Sequence, residues 1–111
     1  MQVAAETTRD GLVVRVLSSR IDAAGAIEFK EAVREVAERP GSPVVLDLSR
    51  VTFLDSSGLG AVVAVMKLLG PERPLQLAAV HPNVAKVFRL TRMDSVFTIH
   101  TDLPASMRAA G

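Results

Sequence analysis

The spacing of apolar residues changes period several times along the chain. QVAAETT (residues 2–8) alternates weakly and reads as a first strand. Asp10-Gly11 supplies a turn, and LVVRVLS (12–18) is rich in β-branched residues, so the two segments predict a hairpin. From Asp22 to Arg39 the period lengthens. Ala26, Phe29, Val33 and Val36/Ala37 recur at helical spacing, with Glu28, Glu31, Arg34 and Glu35 between them. This predicts an amphipathic helix ended by Pro40-Gly41. PVVLDLS (43–49) is a short apolar run suited to the middle of a sheet covered by helices.

A second helix is expected after Ser57, running to about Leu69, where GPERP (70–74) breaks the pattern. LQLAAV (75–80) is another strand. His81-Pro82-Asn83 opens a third helix through Val84, Val87, Phe88 and Thr91, with proline tolerated in its first turn. VFTIH (96–100) is a last strand. The order ββαβαβαβ implies an α/β fold: one mixed sheet of about five strands with helices packed on it. Residues 1–101 form the domain, and 102–111 form a tail that is a short helix or frayed.

Composition narrows the function. Of the 111 residues, 13 are basic and 12 acidic. A balance this close argues against direct nucleic-acid binding, which needs a concentrated basic face. Without cysteine there is no disulfide, thiolate chemistry or cysteine-ligated metal. The polar start MQVAAETTRDG does not read as a signal peptide. The longest clean apolar run, Leu59 to Met66, is far short of a bilayer span. These features predict a cytoplasmic chain without membrane insertion.

Catalytic patterns fail one by one. The nucleophile elbow needs glycine two residues before the serine, where Ser57 has Asp55. His81 and His100 lack metal-ligand spacing. The dinucleotide fingerprint needs glycine or alanine at position 63, which is Val63, and no Gly-Lys-Ser/Thr ends a phosphate loop. No catalytic residue, cofactor or metal is expected, and the chain is not read as an enzyme. A weak nucleotide site at the second helix start, where free N–H groups attract anions, is the least favoured alternative.

The stretch LDSSGLG (54–60) therefore needs another explanation. Aspartate and serine both cap helix N-termini, but one cap suffices. Ser56, just before the first helical residue, is the expected cap, which leaves Ser57 free to point outward. Placing Leu59, Val62, Val63, Met66 and Leu69 toward the sheet leaves Gly58, Ala61, Val65 and Leu68 on a second stripe. That stripe is apolar where a solvated face carries charge, and Lys67 is the lone charge between Ser57 and Leu69. On spacing alone it reads either as a side covered by neighbouring loops or as a docking surface that begins at the serines, and it also suits weak self-association.

The segment VVLDLSRVTFLDSSGLGAVVAVMKLL resembles the signature of the STAS domain, above all in bacterial anti-sigma-factor antagonists. VVRVLSSRIDAAGAIEFKEAV is similar to the family's second strand and first helix, and LQLAAVHPNVAKVFRLTRMDSVFTIH to its closing strand, helix and strand. The resemblance implies phosphorylation of the second serine, Ser57, by a kinase that is also the anti-sigma factor, with Ser56 as second choice. It implies that unphosphorylated chain binds that factor and frees the sigma factor, and that a phosphoserine phosphatase restores binding. Asp55 matches the motif aspartate, and Asp22 an aspartate near the serine loop.

The expected partner surface is Asp22, Asp55, Ser56, Ser57, Gly58, Gly60, Ala61, Val65 and Leu68, with the two glycines allowing close backbone approach. Ser19-Arg20-Ile21 stands where the family often has a Gly-Glu pair, Thr91-Arg92-Met93 where many members have a glycine, and Val65 where many are polar. The alternative within the family is an unphosphorylated scaffold or subunit of a larger stress-signalling or lipid-transport complex.

Overall fold

The computed structural model describes residues 3–107. Strands β1 (Val3–Thr8) and β2 (Gly11–Val16) pair antiparallel, as the Asp10-Gly11 turn predicts. β4 (Val44–Asp47), β6 (Leu75–Ala78) and β7 (Thr98–His100) add to β2 in parallel. The resulting five-stranded mixed sheet has the order β1-β2-β4-β6-β7. Helices α1 (Ala26–Val36), α2 (Ser56–Leu69) and α3 (Pro82–Leu90) complete the expected α/β architecture.

Two strands lie outside the expected order. β3 (Arg20–Ile21) and β5 (Phe53–Leu54) form a separate two-stranded parallel sheet. Helix α1 also begins later than its sequence pattern, because residues 22–25 fold into a turn in which Asp22 accepts the Gly25 N–H.

The main core lies on one face of the sheet. Leu12, Val14 and Val16 of β2, Leu46 of β4 and Leu77 of β6 pack there against Phe29 and Val33 of α1, Val62 and Val65 of α2, and Val84 and Phe88 of α3. Phe88 meets Phe97 edge-on, with ring centroids 5.7 Å apart. On the opposite face Val13, Val45 and Ala78 form a smaller cluster, closed by Leu103 and Met107 from the C-terminal segment. A 3-10 turn at Ala105–Met107 shapes that segment. The remainder of that face is polar: Arg15 lies 3.4 Å from Glu6 and 3.7 Å from the buried Asp47.

One side chain ties the far end of the helical layer together. Arg73, in the α2–β6 loop, donates to the carbonyls of Ala37 (2.6 Å), Arg39 (2.8 Å) and Gly41 (3.1 Å). These carbonyls follow α1, where helical partners run out and a cation is favoured by the helix dipole. Hydrogen bonds from a charged donor contribute about 1.5–3 kcal/mol. Arg73→Ala should therefore lower the unfolding free energy by about 2–3 kcal/mol. Arg73→Lys should recover part of this, since ammonium lacks the planar fork. Urea unfolding measures both, and a loss below about 0.5 kcal/mol for the alanine variant contradicts the assignment.

Candidate functional site

The short β3–β5 ladder brings two distant turns together. Arg20 pairs with Phe53 and Ile21 with Leu54. Ile21 and Leu54 point inward and are buried, so by strand alternation Arg20 and Phe53 point out. The Arg20 guanidinium lies over the Phe53 ring, 4.0 Å from its centroid. The backbone N–H of Thr52 donates to Ser19 O at 2.8 Å, which extends the pairing one residue earlier. One step later the same register sets Asp22 beside Asp55.

Two neighbouring carboxylates repel unless each is compensated. Asp55 accepts the Gly58 N–H with one oxygen (2.8 Å) and the Ala23 N–H with the other (3.1 Å). Asp22 accepts Gly25 N–H (3.2 Å) and the Arg20 Nε–H (3.1 Å). The Arg20 hydrogen bond, aided by the Gly25 N–H, holds the Asp22 carboxyl below the usual carboxylate range against desolvation, the second effect in weight.

Asp55, and not Ser56, is the N-cap of α2. Its backbone is extended (φ −98°, ψ −174°), as a cap requires, and its side chain reaches the third N–H of the helix. Ser56 is thus the first helical residue and Ser57 the second. Both are exposed, and neither hydroxyl makes a hydrogen bond among the described residues.

The expected docking stripe divides. Ala61 and Val65 are 3% and 1% exposed, so they belong to the core. Helix α1 lies alongside α2 and covers a side that the sequence pattern left outward. Gly58 is also internal. A Cβ there would collide with the Ile21 carbonyl oxygen, so its missing side chain serves the chain's own packing. Leu68 remains outside, 55% exposed. Gly60 faces open space, with nothing within 4 Å of an added Cβ. At 100° per residue, Ser57, Gly60, Ala64 and Leu68 share the outward side of α2. Leu68 lies about 16 Å along the axis from Ser57. It borders a groove of about 180 Å³ between α1 and α2, lined also by Lys30, Glu31, Arg34 and Ala64 and floored by Val65.

The residues of the expected surface that face solvent are therefore Asp22, Asp55, Ser56, Ser57 and Gly60 at one end and Leu68 at the other, with Ala64 between them. No sequence pattern assigns a part to Phe53 or Ala23, and Arg20 stands out in the sequence merely as a departure from the family pattern. A signal was present: Arg20-Ile21-Asp22 and Phe53-Leu54-Asp55 both place an aliphatic residue before an aspartate, with an outward residue two positions earlier.

Two tests follow from this arrangement. Asp55→Ala should cost about 1–2 kcal/mol through loss of the cap, whereas Ser56→Ala should stay within about 0.5 kcal/mol. The reverse ranking in chemical denaturation would return the cap to Ser56. Val65→Glu, which buries an unpaired charge, should lower stability by more than about 3 kcal/mol, while Leu68→Glu leaves it within about 0.5 kcal/mol. Equal melting temperatures for these two variants would contradict their placement.

The model of the STAS domain family matches residues 2–105. A STAS-domain containing protein of Pseudomonas aeruginosa is 31% identical over 101 residues, covering 89% of this chain and 99% of its own. The anti-sigma-F factor antagonist of Mycobacterium tuberculosis is 28% identical over 94 residues, covering 85% of this chain and 77% of its own. Among solved structures, an anti-sigma factor antagonist from Mycobacterium paratuberculosis superposes with a TM-score of 0.80 at 30% identity, covering 92% of this chain and 86% of that one.

Proposed function

This chain belongs to the STAS domain family, and on that premise we propose that it acts as an anti-sigma factor antagonist. In this reading it is a cytoplasmic binding domain without catalytic activity. Unphosphorylated, it binds an anti-sigma factor that is also a serine kinase and so releases the sigma factor. Phosphorylation of Ser57 ends the partnership, and a phosphoserine phosphatase restores it.

The observation that carries this reading is the pair of exposed, uncommitted hydroxyls at the start of a helix already capped by Asp55. Because the cap is a third residue, modification of a serine leaves the helix start intact. Phosphoserine adds about −1.5 to −2 charge at neutral pH. The positive end of the helix stabilises that charge by about 0.3–1 kcal/mol. A partner packed over Ser57 and the open backbone of Gly60 would instead bury a dianion next to Asp55 and Asp22. Like charge brought together at an interface costs several kcal/mol, at least a hundredfold in affinity. The switch needs no refolding. Ser57 is favoured over Ser56 because it lies within about 20° of Ala64 and Leu68 on the outward side of α2, whereas Ser56 is turned about 80° from Ala64 and about 120° from Leu68.

With the cognate anti-sigma factor kinase, Ser57→Asp should bind at least a hundredfold more weakly than the wild type. Ser57→Ala should stay bound in the presence of ATP and give no phosphopeptide. Calorimetry and phosphopeptide mapping read the two outcomes. Equal affinity of the variants, or phosphate found on Ser56 in both wild type and Ser57→Ala, would remove the proposed switch.

A further inference from the structure

Every carboxylate oxygen beside the serines is committed. Three of the four partners are backbone amides, those of Gly58, Ala23 and Gly25, and their places are set by the fold. The fourth partner is the Arg20 side chain, on an exposed stem. Among the described residues it is the one cation hydrogen-bonded into this cluster. Resting on the reading of Ser57 as the modified residue, we propose that Arg20 is the counter-charge of the switch: when Ser57 is phosphorylated, its guanidinium leaves Asp22 for the phosphate.

Three features support this exchange. A phosphate dianion offers the guanidinium more charge than a carboxylate and a geometry suited to two parallel hydrogen bonds. Asp22 can release Arg20 without losing its place, because Gly25 N–H still donates to its side chain and also to its backbone carbonyl, at 3.1 Å. The position is also suitable. Arg20 reaches Asp22 two residues on, the Ala23 N–H next to it ties that turn to the Asp55 side chain, and Ser57 follows Asp55 by two residues. The guanidinium already reaches along β3 to the Asp22 carboxylate, whose turn is tied to the serine end by the Ala23–Asp55 hydrogen bond.

The exchange has a second effect. Arg20 now covers Phe53, a ring that is already 40% exposed, and an exposed cation–π contact is weak enough to yield to a phosphate. The phosphorylated surface would then differ from the bare one by a new anion and by an uncovered aromatic ring.

The test uses chain carrying phosphoserine at position 57 installed during translation, so that no kinase is needed. A phosphorus NMR titration gives the second pKa of the phosphate. A neighbouring cation favours the dianion and lowers that value. Arg20→Gln should therefore raise it by about half a pH unit or more, roughly a threefold gain in proton affinity. Lys67→Gln, near the other end of α2, should leave it unchanged. Equal values in wild type and Arg20→Gln overturn the proposal, as does an equal shift from Lys67→Gln, which would indicate general charge. Either result leaves the reading of Ser57 standing, whereas a kinase that ignores Ser57 removes that reading without altering the titration.

Discussion

The Asp55 carboxylate divides its two oxygens between the first turn of α2 and the turn that precedes α1, and the geometry of the serine end follows from that division. One oxygen starts the helix. The other fastens a loop that lies thirty-two residues earlier in sequence. A serine hydroxyl at the same place could satisfy the helix N–H but would offer a weaker, single-centred acceptor to the second amide. The contact of Gly58 with the Ile21 carbonyl adds a steric requirement, since a side chain would push the two turns apart. Capping and close approach together hold the helix start against β3, and the serines are left with nothing structural to do.

The main strands and all three helices are legible in the sequence because each carries a helical period or lies within a longer apolar, β-rich run. β3 and β5 are two residues long, and no alternation can be read from so few. They become visible through long-range pairing, which a single sequence does not display. The boundary of α1 was displaced for a related reason: Asp22 and Gly25 form a local turn whose residues fit a helical pattern equally well.

The site was legible in its chemistry and less so in its orientation. Asp55, Ser56 and Ser57 are adjacent, and any of them suits a helix start by residue type, so backbone conformation decides between them. For α2 the difficulty is deeper. A helix apolar on nearly every side has no polar face to mark which direction is outward. Packing beside α1 takes the side bearing Ala61 and Val65, and leaves Ser57, Gly60 and Leu68 toward solvent. The motif marks the serine end of the helix, whereas the helix–helix contact chooses its exposed side.

The separation of the β3–β5 pair from the five-stranded sheet bears on how local openings spread. The small ladder is joined by few backbone hydrogen bonds, yet its inward side chains Ile21 and Leu54 belong to the same core as the inward residues of β2, β4 and β6. Outer amides of so short a ladder exchange through local openings, whereas an opening that frees Ile21 and Leu54 draws on the core of the whole domain.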